Sequence, residues 1–287
     1  MIKTGFVAVV GAPNAGKSTL INALLQEPFL ITSEKHQTTR KHVRCILTGS
    51  DYQIIFVDTP GTQVPKNKLG EYMAAEIGRA AEDADLVLVI IDATKADKQS
   101  WLEFSAKIPH VLVLNKIDLL EQDVVIELLS RFETEGKFEA VVPVSASEAV
   151  NMDKLIDTLK MLLPEGEMLY PEDQLLDTDL RFVASEVIRE QALKLLNDEV
   201  PHGVAVEIEQ FRESDAEAKI QASIIVEKES HKPIVIGRGG QMLGRIGKSA
   251  RMKLTELLNV PVHLKLFVKV RKNWRKDPVQ LKALGYK

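Results

Sequence analysis

The sequence is poor in cysteine and has no long hydrophobic run. Its 287 residues contain a single cysteine, Cys45, so an internal disulfide is excluded and a reducing cytosol is the expected environment. The longest apolar run, Leu86–Ile91, is far shorter than the roughly 20 residues of a membrane span and is typical of a buried strand. The first residues also lack the arrangement of a secretory signal peptide. We therefore expect a cytoplasmic protein.

Acidic residues outnumber basic ones in the whole chain, but they are scarce in its C-terminal part. The chain carries 37 Lys+Arg and 41 Asp+Glu, a net charge of −4. Residues 231–287 hold 14 of the basic and 2 of the acidic residues, a net charge of +12, so the preceding 230 residues carry −16. This division favours an anionic partner for the C-terminal part, although a solvated basic face would give the same count.

Strand and helix patterns alternate over residues 1–165, which predicts an α/β domain with a mostly parallel six-stranded sheet and helices on both faces. Strands are expected at 4–10, 52–58, 84–92, 110–116 and 138–146, with 41–48 as an antiparallel strand beside 52–58. Helices are expected at 17–25, 68–81, 122–132 and 152–163. Prolines and acidic residues then interrupt the pattern, so we place a linker at 166–180.

Residues 181–287 follow a different pattern of one helix, two strands, two helices and a last strand. Helices are expected at 180–197, at 231–236 and from a glycine-rich loop to residue 258, and strands at 203–213, 218–228 and 262–272. The apolar residues of the long helix recur every three or four positions and so predict a core face: Met242, Ile246, Ala250, Leu254 and Leu257. Three basic residues recur on another face of that helix: Arg245, Lys248 and Arg251.

The segment "GAPNAGKS", Gly11–Ser18, follows a predicted strand and opens a predicted helix, which is the context of a phosphate-binding loop. Backbone N–H groups of such a loop and of the helix N-terminus surround the phosphates of a nucleotide. Lys17 would reach the β- and γ-phosphates, and the Ser18 hydroxyl would bind Mg²⁺. The predicted nucleotide-binding residues here are Gly11, Ala12, Pro13, Asn14, Ala15, Gly16, Lys17, Ser18 and Thr19.

A second segment, "DTPG", ends the predicted strand 52–58 and continues the nucleotide site. Asp58 can hold Mg²⁺ through a water molecule, and the N–H of Gly61 can meet the γ-phosphate. Thr59, Pro60 and Thr62 complete this part of the predicted site.

Between these two segments lies "HQTTR", residues 36–40. A threonine hydroxyl from this loop should bind Mg²⁺ only when the γ-phosphate is present. Thr39 is the first candidate and Thr38 is the alternative. We therefore predict Ser18, Thr39 and Asp58 as the Mg²⁺ site, and Lys17, Thr39 and Gly61 as the catalytic residues.

The segment "NKID", at the end of a further strand, predicts the base of the nucleotide. Guanine presents two adjacent donors, N1–H and the exocyclic amine, which the Asp118 carboxylate can accept together. Adenine lacks this pair and would leave the carboxylate unpaired, so GTP and GDP are the expected ligands. Asn115 would tie the segment to the phosphate loop, Lys116 would lie along the base, and the Ala146 N–H would meet guanine O6. The predicted base-binding residues are Asn115, Lys116, Ile117, Asp118, Ser145 and Ala146.

One part that many GTPases have is missing from the chain. A glutamine that orients the attacking water commonly follows the DTPG segment, but Thr62 stands there and Gln63 comes one residue later. No arginine in the chain is an obvious finger for the transition state. We therefore predict slow intrinsic GTP hydrolysis that a partner or a cation accelerates.

These motifs, together with "FVASEVIRE", "VIGRGG" and "VHLKLFVKV", resemble the bacterial Era GTPases in nearly the whole chain and in the same order. The resemblance implies a P-loop G domain at 1–165 and a type II KH domain, an α+β fold with a basic C-terminal tail, at 181–287. It implies binding to 16S rRNA near its 3′ end during maturation of the 30S ribosomal subunit. It also implies a cytoplasmic protein, expected as a monomer, with partial peripheral association with the inner face of the cell membrane.

Two positions depart from the family pattern, and a third suggests a cofactor. Thr62 stands where hydrophobic residues are common, and Arg238 stands where the family often has lysine. In related GTPases, an asparagine at the position of Asn14 helps to hold a K⁺ ion that substitutes for an arginine finger, which makes K⁺ a hypothetical cofactor here.

The glycine-rich loop Gly237-Arg238-Gly239-Gly240 is the GXXG loop of the resemblance, which clamps a nucleic-acid backbone in KH folds. The basic residues expected to extend this contact are Arg245, Lys248, Arg251, Lys269 and Lys272. Bases would be read in a groove lined by Ile234, Ile236 and Leu243. Trp274 is either a stacking platform for a base or a residue of the core.

Three other interpretations of the chain stay open at this point. The second glycine loop could bind a nucleotide, although it lacks the Lys-Ser/Thr pair at the required spacing. The C-terminal domain could bind a protein, which would make the chain a signalling GTPase. The nucleotide site could also belong to a scaffold that does not hydrolyse GTP.

Overall fold

The computed structural model describes residues 1–32, 39–62, 65–98, 108–197 and 200–286, which form two compact units. The first unit comprises 1–30, 39–62, 73–98 and 108–177, and the second comprises 31–32, 65–72, 178–197 and 200–286. The domain limits expected from the sequence, 1–165 and 181–287, remain predictions. Within these described ranges, every helix is too short or too polar to cross a membrane.

A mixed β-sheet forms the centre of the first unit. Its strands are β1 (Ile2–Gly11), β2 (Val43–Thr48), β3 (Tyr52–Asp58), β4 (Leu86–Asp92), β5 (His110–Asn115), β6 (Ala140–Val144), β7 (Glu165–Gly166) and β8 (Leu176–Asp177). The order is β6-β5-β4-β1-β3-β2-β8, and β7 pairs with β1. Strands β1, β3, β4, β5 and β6 run parallel, whereas β2 is antiparallel to β3. The prediction of an antiparallel strand beside 52–58 is confirmed.

The helices of this unit agree with the predicted ones to within a few residues at their C-terminal ends. They are α1 (Lys17–Leu25), α2 (Lys68–Glu82, which belongs to this unit from residue 73), α3 (Gln122–Glu135) and α4 (Met152–Leu162). Short 3₁₀ turns occupy Ala93–Lys98 and Ile117–Leu119. All seven residues of β4 are buried, as expected for a strand that is covered on both faces of the sheet.

The parallel strands position the predicted nucleotide site. The phosphate loop follows β1, Asp58 ends β3, Asn115 ends β5 and Ser145 follows β6. Because parallel strands point their carboxyl ends to the same edge, these four segments meet at one edge of the sheet. Ligands of such open α/β sheets bind at that edge.

Two very short strands lie in and beside the segment expected as a linker. Ile2 of β1 pairs with Gly166 of β7, and Cys45 of β2 pairs with Leu176 of β8, both in antiparallel register. Two-residue strands show no alternation of apolar and polar side chains, so the sequence has no signal for them. The chain therefore stays attached to the sheet of the first unit as far as Asp177.

The second unit follows the predicted order and adds one helix. Its elements are α5 (Leu180–Leu195), β9 (Ala205–Glu213), β10 (Ala218–Val226), α6 (His231–Ile236), α7 (Gln241–Leu258), β11 (Val262–Val270) and α8 (Pro278–Ala283). Strand β10 is central, antiparallel to β9 and parallel to β11. Short 3₁₀ turns occupy Pro201–Gly203, Arg238–Gly240 and Trp274–Lys276. Helix α8 was not predicted, although Asp277 before Pro278 is a helix-start signal: its Oδ1 accepts a hydrogen bond from the Val279 N–H at 2.9 Å.

Helix α7 has the core face that its periodicity predicts. Ile246, Ala250 and Leu254 are buried against α5 and β11. Met242 and Leu257 are half-buried at the two ends of this face. The helix ends at Leu258, and the following residue, Asn259, adopts a left-handed conformation with φ 53°.

Candidate functional site

The phosphate loop has a backbone that requires glycine at two positions. Gly11 and Gly16 have φ values of 157° and 98°. A Cβ atom at Gly11 would overlap the carbonyl oxygen of Ile90, and one at Gly16 would overlap the side-chain nitrogen of Asn115. Both glycines therefore keep the loop close to neighbouring strands and leave its N–H groups free of side-chain cover.

Lys17 lies inside this loop and is buried. Its Nζ donates hydrogen bonds to the carbonyl oxygens of Gly11 at 3.0 Å and Ala12 at 3.1 Å. Burial lowers the pKa of Lys17 to about 8, although the nearby Asp58 carboxylate opposes this shift. A phosphate beside the ammonium would favour its charged form, so nucleotide binding and the charge of Lys17 support each other.

Three oxygen atoms gather beside the loop where Mg²⁺ was predicted. Ser18 Oγ and Thr39 Oγ1 donate hydrogen bonds to Asp58 Oδ2 at 2.9 and 3.1 Å, and the two hydroxyl oxygens are 3.2 Å apart. The other carboxylate oxygen, Asp58 Oδ1, is buried and accepts no hydrogen bond within the described residues. Hydroxyl and carboxylate oxygens are the ligands that Mg²⁺ prefers, so this set fits the predicted cation.

The electrostatics of Asp58 also depend on this environment. Burial raises the pKa of Asp58 to about 6, against the opposing effects of Lys17 and of the hydrogen bonds from Ser18 and Thr39. A divalent cation nearby would stabilise the carboxylate and reverse this shift.

The DTPG segment packs directly on the phosphate loop. Thr59 Oγ1 donates a hydrogen bond to the Val9 carbonyl oxygen at 2.7 Å, and the Thr62 N–H donates one to the Gly11 carbonyl oxygen at 3.0 Å. A Cβ atom at Gly61 would lie 2.9 Å from Pro13 Cα, so only glycine fits there without a shift. Pro60 is buried next to it. Gly61 is thus held against the loop where a γ-phosphate is expected.

The predicted base-binding residues come together at the ends of β5 and β6. Asn115 Nδ2 donates a hydrogen bond to the Ala15 carbonyl oxygen at 2.8 Å, which is the predicted tie to the phosphate loop. The exposed Asp118 accepts a hydrogen bond from Ser145 Oγ at 2.6 Å. The Ala146 N–H donates to Asn115 Oδ1 at 3.0 Å, so its contact with guanine O6 remains a prediction. Ile117 begins the 3₁₀ turn that carries Asp118, and Thr19 lies on α1.

Asp92 is a residue of this region that the sequence analysis missed. Its Oδ2 lies 2.8 Å from Lys116 Nζ, and its Oδ1 accepts a hydrogen bond from Thr94 Oγ1 at 2.6 Å. Burial alone would raise the pKa of Asp92, but the hydrogen bonds from Lys116 and Thr94 outweigh it and lower the pKa. Its position at the carboxyl end of β4, between two predicted site strands, was the signal that could have found it. Asp92 fixes Lys116, whose own backbone is left-handed with φ 67°.

Two of the sequence-based candidates lie outside the described residues. These are Thr38, the alternative to Thr39, and Gln63, which follows Thr62.

The second glycine loop also has a backbone that favours glycine. Gly237, Gly239 and Gly240 have φ values of 74°, 58° and 81°. A Cβ atom at Gly237 would lie 2.7 Å from the Met242 N atom, whereas one at Gly239 or Gly240 would meet no atom within 4 Å. Arg238 and Gly239 are exposed. The loop therefore presents backbone and one guanidinium group to solvent, directly before the N-terminus of α7.

The predicted basic residues have different surroundings. Arg245, Lys248 and Arg251 are exposed on α7, and Lys272 is exposed after β11. Lys269 is also exposed, but its Nζ lies 2.6 Å from Glu209 Oε1, which compensates part of its charge. Among the residues predicted to line the groove, Ile234 is 50% exposed and Ile236 and Leu243 are half-buried. A basic helix face and partly exposed apolar side chains thus flank the glycine loop.

Trp274 belongs to the core and is not a stacking platform. Its side chain is 0% exposed, and its Nε1–H donates a hydrogen bond to the Gly203 carbonyl oxygen at 3.0 Å. The ring of Tyr286 stacks on it at a centroid distance of 6.1 Å. Of the two interpretations that the sequence left open, the structure supports the core residue.

Comparison with known proteins assigns both parts of the chain to families. A family model described as "50S ribosome-binding GTPase" matches residues 6–116, and one described as "KH domain" matches residues 199–275. The GTPase Era of Clostridium botulinum (strain Eklund 17B / Type B) is 47% identical over 293 residues, covering 100% of this chain and 99% of the relative. The GTPase Era of Clostridium acetobutylicum is 44% identical over 292 residues, with coverage of 100% and 99%.

Solved structures match over the same extent. A crystal structure of Era in complex with MgGDPNP and nucleotides 1506–1542 of 16S ribosomal RNA has a TM-score of 0.94 and 39% identity, covering 100% of this chain and 99% of that chain. An Aquifex aeolicus Era variant bound to GDP·AlF₄⁻ has a TM-score of 0.94 and 40% identity, covering 99% of both chains.

Proposed function

The chain belongs to the Era family of GTPases, and we propose that it is a GTP-controlled RNA-binding protein that assists assembly of the small ribosomal subunit. In this proposal the first unit binds and hydrolyses GTP, and the second unit binds 16S rRNA near its 3′ end. One observation carries the proposal: the chain combines two sites. The side-chain oxygen atoms of Ser18, Thr39 and Asp58 lie together as a cation site requires, and an exposed glycine loop precedes a basic helix.

In the nucleotide site, each segment would act on a different part of GTP. Lys17 would leave the carbonyl oxygens of Gly11 and Ala12 and bind the β- and γ-phosphates. Asp118, already oriented by Ser145, would accept the two donors of guanine. Asn115 would keep the base-binding segment at a fixed distance from the phosphate loop through its hydrogen bond to the Ala15 carbonyl oxygen.

Ser18, Thr39 and Asp58 would hold Mg²⁺, with Asp58 acting through water. When bound, Mg²⁺ neutralises the negative charge that develops on the transferred phosphoryl group. Thr39 enters this set from a segment that the γ-phosphate is expected to order, so this residue would distinguish GTP from GDP. The Gly61 N–H, held beside Pro13, would donate a hydrogen bond to the γ-phosphate from the other side.

The hydrolysis step would be slow without a further group. The residue after Gly61 is Thr62, and its N–H is engaged by the Gly11 carbonyl oxygen. We propose that a partner, or K⁺ beside the exposed Asn14 (φ 64°), provides the missing stabilisation of the transition state. Equal hydrolysis rates in K⁺ and Na⁺ would contradict the role of K⁺.

The RNA-binding role is supported by the geometry of the second unit. At the GXXG loop, Gly239 and Gly240 leave space for a phosphate to approach the backbone, and Arg238 adds positive charge. Arg245, Lys248 and Arg251 continue the charge along α7. A relative with a TM-score of 0.94 was crystallised with nucleotides 1506–1542 of 16S ribosomal RNA, which supports this segment as the target.

The proposal extends to the place of action in the cell. A protein that binds the 3′ end of 16S rRNA would act in the cytoplasm, on the 30S subunit. The net charge of +12 in residues 231–287 would also favour peripheral contact with the anionic inner face of the cell membrane.

RNA binding by a loop variant tests this proposal. We would measure the dissociation constant for a labelled RNA of nucleotides 1506–1542 in wild type, Gly239→Asp and Gly136→Asp. Gly136, which directly follows α3, is a matched control because its φ of 61° resembles the 58° of Gly239 and both have open space at Cβ. Both variants add one negative charge and the same backbone strain.

We expect Gly239→Asp to weaken RNA binding about tenfold or more, because a carboxylate opposes a phosphate at the clamp. Gly136→Asp should bind as wild type does. Equal binding by all three proteins would contradict the clamp, and no RNA binding by any of them would favour a protein partner for the second unit.

A further inference from the structure

A glutamate of α2 is buried where this helix packs on the sheet of the first unit. The buried face of α2 in this unit includes Met73, Ile77, Ala80 and Ala81. Glu76 lies three residues after Met73 and four before Ala80, so it projects from the same face, and it is only 2% exposed. A carboxylate at such a position costs free energy unless other groups pair with it. Its partners therefore indicate why a carboxylate stands there.

The Glu76 carboxylate contacts one residue of its own helix and one residue outside it. Its Oε1 accepts a hydrogen bond from Arg79 Nη1 at 3.0 Å. Its Oε2 accepts a hydrogen bond from the His42 N–H at 3.4 Å and lies 2.6 Å from His42 Nδ1. This Nδ1 atom has no aligned hydrogen bond within the described residues, so the imidazole contact acts through proximity. Both the backbone and the side chain of His42 are thus held by one oxygen atom of α2.

His42 ends a short connection whose two ends both lie at Asp58. At one end, Thr39 Oγ1 donates a hydrogen bond to Asp58 Oδ2 at 3.1 Å. At the other end, Val43 opens β2 and is the register partner of Asp58 in β3. Residues 40–42 join these two points, and each residue of a chain spans at most about 3.3–3.6 Å. A fixed His42 therefore restricts the positions that the Thr39 hydroxyl can reach.

Helix α2 can hold this connection because the core fixes its own position beside Glu76. Ile77 and Ala81 belong to a buried apolar cluster with residues of β1, β4 and β5. Ala80 packs in a second cluster with residues of β1 and β3. These are strands of the sheet that carries the phosphate loop and Asp58. Glu76 is thus fixed relative to the cation set of Ser18, Thr39 and Asp58.

We propose that Glu76 is a positioning residue for Thr39: it holds His42 so that the Thr39 hydroxyl stays beside Ser18 and Asp58. This inference rests on the proposed function, in which Thr39 distinguishes GTP from GDP. A connection that is already restricted has less conformational freedom to lose when GTP and Mg²⁺ bind, so less of the binding free energy is spent on ordering it. Binding of GDP does not use Thr39 and gains nothing from this restriction. Glu76 therefore increases the preference for GTP over GDP.

The variant Glu76→Met separates positioning from stability. Methionine is about as long as glutamate and suits the buried face of α2. The side chains of Arg79 and His42 are 57% and 32% exposed, so the substitution leaves no buried charge without a partner. An apolar replacement of this kind is often neutral or stabilising, so we expect the free energy of unfolding to equal or exceed that of wild type.

A second glutamate of the same helix provides the matched control. Glu71 lies 2.7 Å from Lys68 Nζ, and both side chains are exposed. Glu71→Met therefore makes the same chemical change on α2 and removes one ion pair without removing the contact with His42.

Fluorescent GDPNP and GDP would be titrated into each protein at saturating Mg²⁺, and the ratio of the two affinities compared. We expect Glu76→Met to lower the preference for GDPNP about tenfold, as is typical when a group that orients a metal ligand is lost, with GDP affinity unchanged. Glu76→Gln keeps an acceptor oxygen and should restore most of the preference. His42→Ala keeps the backbone N–H and should lose less than Glu76→Met, and Glu71→Met should behave as wild type.

Hydrogen exchange tests the contact itself without nucleotide or Mg²⁺. In the nucleotide-free protein, the His42 amide should exchange faster in Glu76→Met than in wild type or Glu71→Met, because its acceptor is gone.

Thr39→Ala separates this inference from the function on which it rests. A wild-type affinity ratio in Thr39→Ala would contradict the role of Thr39 in the cation set, and the role of Glu76 with it. A lowered ratio in Thr39→Ala together with a wild-type ratio in Glu76→Met would contradict the role of Glu76 alone. The same conclusion would follow from unchanged exchange at the His42 amide, or from a Glu76→Met protein that is less stable and binds both nucleotides equally weakly.

Discussion

The hydroxyl oxygens of Thr39 and Ser18 lie 3.2 Å apart, although 21 positions separate these residues in the chain. Both donate to the same carboxylate oxygen of Asp58. Three segments of the first unit therefore supply one set of oxygen atoms. Of the three residues, Thr39 is the one whose position is expected to depend on the bound nucleotide.

Substitution of Thr39 should affect GTP and GDP differently. We expect Thr39→Ala to weaken Mg²⁺-dependent binding of a GTP analogue about 10- to 100-fold, as is typical when a group around a metal is lost. GDP binding should change little. Fluorescent nucleotide titrations at several Mg²⁺ concentrations would measure this, with Thr38→Ala as the control. Loss in Thr38→Ala and wild-type behaviour in Thr39→Ala would reverse the assignment.

Substitution of Asp118 should change the preferred base. Asp118→Asn loses one of two acceptors for guanine and presents a donor instead, so we expect GTP affinity to fall at least about 100-fold. Xanthosine triphosphate, which has a carbonyl group at the position of the guanine amine, should bind better than GTP. Competition binding with both nucleotides measures this preference.

The control for that experiment is Ser145→Ala, which removes the hydrogen bond of 2.6 Å to Asp118 Oδ1. It should weaken both nucleotides slightly and keep the preference for guanine. An Asp118→Asn variant that still prefers GTP would contradict the assignment of the base.

The stability of the protein without nucleotide and Mg²⁺ should depend on Asp58 below neutral pH. The pKa of Asp58 in the folded state, about 6, is above the usual 3.8 of an aspartate. Between these values the folded state binds the proton more tightly than the unfolded state does, so this group lowers stability as pH rises from 4 to 6. The effect should be on the order of 1–3 kcal/mol.

Urea unfolding between pH 4 and pH 7, followed by circular dichroism, measures this effect. The free energy of unfolding of Asp58→Asn should exceed that of wild type at pH 7, and the difference should shrink toward pH 4. A difference that does not change with pH would show that the carboxylate is not destabilised in the folded protein.

Trp274 should matter for stability and not for nucleotide binding. Trp274→Phe keeps most of the ring volume but leaves the buried Gly203 carbonyl oxygen without its donor, which should lower the free energy of unfolding by about 1–3 kcal/mol. Trp274→Ala should lower it by about 3–5 kcal/mol. A Trp274→Phe protein of full stability that has lost RNA binding would instead favour the stacking role.

The helices and strands that the sequence predicted are those with a strong periodic pattern. Strand 84–92 is apolar at nearly every position, and helix α7 repeats its apolar residues every three or four positions and ends at Leu258 as expected. The strands Glu165–Gly166 and Leu176–Asp177 escaped prediction because backbone pairing over two residues needs no side-chain pattern.

The residues predicted for the nucleotide site lie together in the structure because they stand in short motifs at strand ends, and their contacts with the nucleotide remain predictions. Asp92 was not predicted, although it ends a strand in the same way, because it belongs to no such motif. Glu76 was not predicted either. A glutamate on a helix is usually solvated, and only the packing of α2 on the sheet shows that it is buried and in contact with His42.

The most direct test of the account measures nucleotide affinity in the presence and absence of RNA. Fluorescent GDP and GDPNP would be titrated into wild-type protein with and without saturating RNA of nucleotides 1506–1542. If the nucleotide controls RNA binding, linkage requires RNA to change the GDPNP-to-GDP affinity ratio by the same factor by which GDPNP changes RNA affinity. We predict a change of at least about fivefold. An unchanged ratio would contradict the central claim that the two sites of this chain are coupled.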